Sequence, residues 1–244
     1  MQNFNSQQDF FQYLLKVTLQ NDDDTQLYAL LQANLHWLNE DFAYLLKNWI
    51  NPVFAMPEEF PGDNKMIAFM FAGRVFRLSG LMQNFSQGNK ASNVEIAIAG
   101  YESILRVYTE EDFPELWADT QVNMGRAYSQ RIKGGKADNI EQEILCLQNA
   151  LRVFTLESSK DNWLLAINNL GCTYASLAEI HHGDKNENVA KAISYFQQVL
   201  DNNPSSAQKT MTIENLMGTL MSEEDSLDFK IQKANAIYKD YANT

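Results

Sequence analysis

The chain has 244 residues, of which 45% are hydrophobic and 20% are charged. A chain of this size and composition buries a core, which excludes disorder as its main state. The 31 acidic and 19 basic residues give a formal net charge of −12, so nucleic acid is not expected as a partner. The two cysteines, Cys146 and Cys172, exclude a disulfide framework and a four-thiolate zinc site.

The start of the chain carries no leader pattern. The first 20 residues lack the basic start and the unbroken apolar stretch of a signal peptide. The longest apolar run, Met66 to Gly73, ends at Arg74 and is far shorter than the ~20 residues that a membrane span needs. With only two cysteines, these features predict a cytoplasmic protein that has no membrane partner.

The N-terminal residues 1–60 are predicted to form an acidic helical cap. Two lysines stand against eight acids there, a balance of −6. The apolar residues in 10–15 predict one helix, and a stripe from Leu27 to Trp49 predicts another, kinked at Asn39 and ended by Pro52. Residues 52–63 are the predicted hinge between the cap and the rest of the chain.

Residues 61–244 repeat themselves. The segment Asn93–Thr109 realigns on Asn139–Thr155 at a shift of 46, and Trp117 maps onto Trp163 at the same shift. The glycines of this series are Gly73, Gly125, Gly171 and Gly218, at spacings of 52, 46 and 47. Apolar residues in each segment recur every three or four positions, as in amphipathic helices. The sequence therefore predicts four helical pairs, at 61–108, 109–155, 156–204 and 205–244.

Local signals predict where the helices begin and how they pair. Ser92 with Glu95 and Asp138 with Glu141 fit reciprocal capping boxes, and Pro114 suits a first helical turn. Each glycine of the series is predicted to let the second helix of its pair approach closely. Because a single pair cannot cover its own apolar face, the pairs must stack on one another. The expected fold is an all-α, right-handed α-solenoid with an N-terminal helical cap.

The pattern resembles the tetratricopeptide repeat (TPR), whose second helix carries Ala-x-x-x-Phe-x-x-Ala and a closing proline. Ala192, Phe196 and Pro204 match that motif, whereas Glu143 stands where the family has a small alanine. The segments Phe113–Tyr128 and Asn139–Leu151 resemble long-period bacterial arrays found with CHAT, caspase-like, protease domains. No protease-like segment follows them, so we expect a free-standing relative. The resemblance implies a protein-binding fold and leaves the ligand open.

In repeats of this type, the first helices line a concave groove, and residues one turn around from each glycine point into it. This rule gives the predicted partner-binding residues Met70, Arg74, Val122, Arg126, Asn168 and Asn215. Arg77 is added because it extends the basic spot of Arg74 and Arg126, and Asn123 and Asn169 are added because the resemblance implies asparagine two positions before the glycine in peptide-binding grooves. Asn123 and Asn169 either grip the backbone of an extended peptide or bond a neighbouring helix. The three arginines either receive a carboxylate-bearing segment or pair with local acids.

No catalytic, cofactor or metal site is predicted. Cys146 lies on an inward stripe, and Cys172 has no base and orienting group at hand. The pair His181-His182 lacks further ligands at metal spacing. We expect a non-catalytic scaffold or adaptor that binds a protein or peptide segment. Two alternatives stay open: a regulatory module of a protease or other effector encoded elsewhere, and a self-assembling, homo-oligomeric structural protein.

Overall fold

The computed structural model describes residues 4–20, 24–49 and 61–221, with no side-chain description at 19–20 and 61–65. Every regular element within these ranges is helical and none is a strand, which confirms the all-α prediction. None of the helices described is both long enough and apolar enough to cross a bilayer. Most of the predicted hinge, residues 52–60, and the second helix predicted for the last pair, in 222–244, lie outside the described residues.

The N-terminal region has three helices and a short 3₁₀ turn: α1 (Gln7–Gln20), α2 (Asp24–Ala33), the turn Leu35–Trp37 and α3 (Glu40–Asn48). The Asn39 side chain accepts hydrogen bonds from the backbone N–H groups of Asp41 and Phe42 and so begins α3. The Asn34 side chain donates to the Leu30 carbonyl near the end of α2. The prediction of one kinked helix is therefore wrong, because two asparagines bind backbone groups and break it.

The chain divides into two compact units, Met1–Gly134 and Gly135–Thr244. Unit 1 also contains α4 (Pro61–Asn84), α5 (Lys90–Ile104) and α6 (Pro114–Ser129). Helix α5 packs against both α4 and α6, and α4 also contacts α6. Helix α1 packs on α4, and α3 packs on α5. Fully buried side chains of this unit include Phe10, Phe42, Leu78, Phe85 and Tyr101.

Unit 2 contains α7 (Lys136–Ala150), α8 (Lys160–Glu179), α9 (Lys185–Asp201) and α10 (Ser206–Met221). Helix α8 packs against α7 and α9, α9 packs against α10, and α8 also contacts α10. One core cluster of this unit consists of Ala192, Phe196, Leu200, Leu216 and Leu220. The division after Gly134 falls between the two helices of the predicted pair 109–155, and the predicted boundaries stay predictions.

The glycines of the repeat do not all act alike. A Cβ on Gly171 would lie 2.5 Å from the Phe196 ring, so close packing of α8 on α9 requires glycine there. In the α4 and α5 pair, Tyr101 takes the place of Phe196, and its hydroxyl lies 3.7 Å from where a Cβ on Gly80 would be. Gly73 is exposed. A Cβ on Gly73 would nevertheless lie 3.4 Å from the hydroxyl of Tyr108, which follows α5, so Gly80 faces α5 itself and Gly73 faces the segment just after it.

The helix starts differ from the predicted capping boxes. The side chain of Asn89 accepts from the Ser92 N–H, so α5 begins at Lys90 and Ser92 lies inside its first turn. Helix α7 likewise begins before Asp138, after Gly135. The two predicted boxes are wrong, because the chain enters each helix three residues earlier. Pro114 does lie in the first turn of α6, as predicted.

Candidate functional site

The predicted site residues belong to both units. In unit 1, the helices α4 and α6 contact each other, and the name unit 1 face is given to Met66, Phe69, Met70 and Arg74 of α4 with Leu116 and Arg126 of α6. In unit 2, the helices α8 and α10 contact each other, and the name unit 2 face is given to Asn169 and Cys172 of α8 with Asn215 of α10.

One end of the unit 1 face is apolar and exposed. The exposed fractions are 65% for Met66, 47% for Met70, 38% for Phe69 and 37% for Leu116. The Phe69 ring lies 4.9 Å from the Phe113 ring and 5.6 Å from the Tyr108 ring, centroid to centroid. This aromatic contact joins the N-terminal parts of α4 and α6 and holds Phe69 in place.

Arg74 lies one turn beyond Met70 on the same side of α4. Its guanidinium carbon is 5.4 Å from the centre of the Phe71 ring, and its Nη1 donates to the Met70 carbonyl of its own helix. The Nε atom is buried and has no hydrogen-bond partner among the described residues, and burial lowers the pKa of Arg74. None of the carboxylates in the described part of the chain pairs with it. A buried donor without an acceptor costs about 1–3 kcal/mol, so an incoming acceptor would be stabilised there.

The other two arginines differ in their partners. Arg77 pairs with Asp24, whose Oδ1 lies 2.6 Å from Nε and 2.5 Å from Nη2. Of the two alternatives stated for the arginines, Arg77 therefore follows the one in which the side chain pairs with a local acid. Arg126 is exposed, and its Nη2 donates to Oδ1 of Asn84 at 3.4 Å. Within the described ranges no carboxylate pairs with Arg126.

The remaining predicted residues of the unit 1 face lie on α6. Asn123 is half-buried, and its Nδ2 donates to the Asp119 carbonyl of the same helix at 2.9 Å. Burial, and then the nearby charge of Glu115, raise the pKa of the Asp119 carboxyl. Val122 is half-buried beside them. One N–H of the Asn123 amide is thus used by its own helix, which leaves the other N–H and the carbonyl oxygen as the groups that could bind a peptide.

The unit 2 face contains one structural asparagine and two that are more accessible. Asn168 is only 4% exposed, and the Thr212 hydroxyl of α10 donates to its Oδ1 at 3.1 Å. This bond ties α8 to α10. Asn169 and Asn215 are half-buried, and Asn215 Nδ2 donates to the Cys172 sulfur at 3.3 Å.

Glu143 is a functional group that the sequence analysis noted only as a departure from the family motif. It lies half-buried on α7 and hydrogen-bonds Thr173 of α8, and burial raises the pKa of its carboxyl to about 7. Burial and the charge of Glu143 raise the pKa of the Cys172 thiol to about 11. That thiol is therefore protonated at neutral pH, which makes it a poor nucleophile.

Unit 1 also has a cleft of about 420 Å³ between α3, α5 and the end of α6. Its walls carry the ion pairs Lys47–Glu102 at 2.8 Å, Arg131–Glu95 at 2.8 Å and Glu40–Lys133. These pairs join residues far apart in sequence, so sequence reasoning did not find them. Because the charges neutralise one another in pairs, the cleft has little attraction for a charged ligand.

The structure gathers no group of three or more His, Cys, Asp or Glu side chains that suits a metal ion, as far as its described residues extend. Comparison of the chain with known protein families, with curated proteins and with solved structures gives no match.

Proposed function

We propose that the protein is a non-catalytic scaffold or adaptor that binds a protein or peptide segment, with the unit 1 face as its main binding surface. Four large apolar side chains are exposed there beside two arginines that lack a carboxylate partner in the described chain. Apolar and arginine anchors are the side chains that carry most binding energy at protein interfaces. The unpartnered Nε of Arg74 is the observation on which the proposal rests.

We also propose that the helices stack as a right-handed, TPR-like solenoid. Neighbouring helices pack in pairs, and alternate helices touch as well, α4 with α6 and α8 with α10. Contacts of both kinds are expected when helical pairs stack on one another. The close fit of Phe196 on Gly171 supports the pairing of α8 with α9.

Affinity capture with mass spectrometry tests the scaffold. The double variant Arg74→Glu, Arg126→Glu should lose a set of partners that the native chain retains, since the anchoring charges are reversed. The matched control is Lys16→Glu, Lys136→Glu, which reverses two exposed lysines outside both faces. Equal capture by the native chain and both variants would contradict the unit 1 face as the binding surface. Asn123→Ala and Asn169→Ala test the asparagines in the same way.

Self-assembly is the second candidate function, because exposed apolar side chains also suit contact between copies. If it applies, the apparent mass in light scattering rises with concentration, and Met66→Ser with Met70→Ser abolishes the rise. A constant monomeric mass at high concentration contradicts this candidate.

A further inference from the structure

We infer that the unit 1 face recognises a polypeptide segment of two parts, in which bulky apolar side chains are followed or preceded by two carboxylates set about 15 Å apart. The inference rests on the proposed scaffold function and names the chemistry of its partner. The apolar part would pack on Met66, Phe69, Met70 and Leu116, and the carboxylates would bind Arg74 and Arg126.

The apolar end of the face suits side chains of variable shape. Methionine is flexible and polarizable, so Met66 and Met70 can adapt to a partner, whereas Phe69 is fixed by its contacts with Phe113 and Tyr108. Gly73 is exposed on the same helix, between Met70 and Arg74. A Cβ on Gly73 would lie 3.4 Å from the Tyr108 hydroxyl, so Tyr108 forms part of the surface where the apolar end meets the first arginine.

Charge complementarity predicts that the second part of the segment carries carboxylates. The chain has 12 more acids than bases, yet no carboxylate of the described residues pairs with Arg74 or Arg126. Arg77, on the same helix, shows that a carboxylate can bind at this helix, since Asp24 occupies it. A partner carboxylate would pair with the Arg74 guanidinium, which has no carboxylate partner among the described residues.

The spacing of the two arginines sets the spacing of the two acids. Contacts of Phe69 with Phe113 and of Asn84 with Arg126 show that α4 and α6 run side by side in the same direction. Asn84 lies ten residues beyond Arg74 on α4, which is about 15 Å at the helical rise of about 1.5 Å per residue. An extended peptide advances about 3.3 Å per residue. Two acids four or five residues apart would therefore reach both arginines.

A polypeptide fits this arrangement better than a free anion or a nucleic acid. A free anion would use the arginines and leave the adjoining apolar surface exposed. A nucleic acid would be repelled by a chain with a net charge of −12. An acidic segment with an apolar end satisfies both parts of the face.

Fluorescence anisotropy with labelled synthetic peptides tests the inference. The probe has two leucines, one serine, an aspartate and a second aspartate four residues later, with serine and glycine spacers. It is made in both chain directions, and the comparison peptide has asparagine at both acidic positions. In the preferred direction, the aspartate peptide should bind at least about tenfold more tightly than the asparagine peptide. Equal affinity of the two peptides in both directions would overturn the inference.

Variants of the protein show which residues cause the preference for the aspartate peptide. Arg74→Gln and Arg126→Gln should each reduce the preference for aspartate, and Met70→Ser should weaken both peptides alike. Lys16→Gln, which removes an exposed cation on α1, should change neither. A preference for aspartate that survives both arginine variants would also overturn the inference. Cell partners that are lost with Arg74→Glu, Arg126→Glu while the aspartate peptide shows no preference would refute this inference and leave the scaffold function standing.

Discussion

The Asp24 carboxylate lies against the Arg77 guanidinium, with Oδ1 2.6 Å from Nε and 2.5 Å from Nη2. Asp24 begins α2, and Arg77 lies on α4 one turn beyond Arg74. An acid of the chain itself thus occupies one of the three arginines that the sequence predicts as partner-binding. An acidic partner would have to displace Asp24 to bind the Arg77 guanidinium.

Replacing Asp24 should cost little stability. We expect Asp24→Asn to change the free energy of unfolding by less than about 1 kcal/mol, because the pair is partly exposed and screened by solvent. Urea unfolding measures the effect, with Asp41→Asn, an exposed acid on α3, as the control. A loss well above about 1 kcal/mol for Asp24→Asn that Asp41→Asn does not show would contradict a weak, solvent-screened pair.

Two glycines of the repeat should respond oppositely to alanine. Gly171→Ala forces a methyl group to within 2.5 Å of the Phe196 ring, and such overpacking costs about 1–3 kcal/mol. Apart from its chain neighbours and the backbone of its own helix, no atom of the described residues lies within 4 Å of a Cβ on Gly218, so Gly218→Ala should stabilise the helix by up to about 1 kcal/mol. Urea unfolding of the two variants measures the difference. A loss of stability at Gly218 equal to that at Gly171 would contradict the packing assigned to Gly171.

Alanine variants of Asn168 and Asn123 should differ in stability, because Asn168 joins two helices and Asn123 does not. Asn168→Ala should cost about 1 kcal/mol of stability, because it removes the hydrogen bond between α8 and α10 while the Thr212 hydroxyl keeps the Gln208 carbonyl as its acceptor. Asn123→Ala should change stability by less than about 0.5 kcal/mol, since its amide bonds only a carbonyl of its own helix. Thermal and urea unfolding compare the two. Similar losses for both variants would show that Asn123 is structural too.

The helices themselves were largely predictable, because spacing of three and four between apolar residues is a local signal. The pattern around Asn93 and Asn188 marked the repeat, and the structure shows why an asparagine suits both places. Asn93 Nδ2 donates to the Phe85 and Gln87 carbonyls, and Asn188 Nδ2 donates to the His182 carbonyl. Each side chain ties the start of a second helix to the loop before it.

The site was predictable only in part, because its electrostatics depend on residues distant in sequence. The periodicity placed Arg74 and Arg77 on one helix. It did not show that Asp24, 53 residues away, pairs with Arg77 and not with Arg74. The ion pair between Glu40 and Lys133 spans 93 residues and was likewise invisible. The alignment selected Gly73, but Gly80 lies seven residues further along the same side of α4. Only the fold shows that Gly73 approaches Tyr108 and Gly80 approaches Tyr101.

Glu143 should make stability depend on pH. Its folded pKa, about 7, is above the ordinary value of 4.5, because burial disfavours the charged form. Below pH 4.5 the carboxyl is protonated in both the folded and the unfolded states. As pH rises from 4.5 to about 7, the unfolded chain loses this proton first, so the stability of the folded state falls and then levels off. The whole effect amounts to at most about 3 kcal/mol.

The variant Glu143→Gln stays neutral at every pH and keeps a group that can bond Thr173. Relative to the native chain, it should gain stability between pH 5 and pH 8, while contributions from all other titrating groups cancel in the difference. Urea unfolding at a series of pH values measures this gain. Glu179→Gln, at an exposed position on α8, is the matched control and should show no such trend. A difference between Glu143→Gln and the native chain that does not vary with pH would mean that the Glu143 carboxyl is ionised in the folded protein.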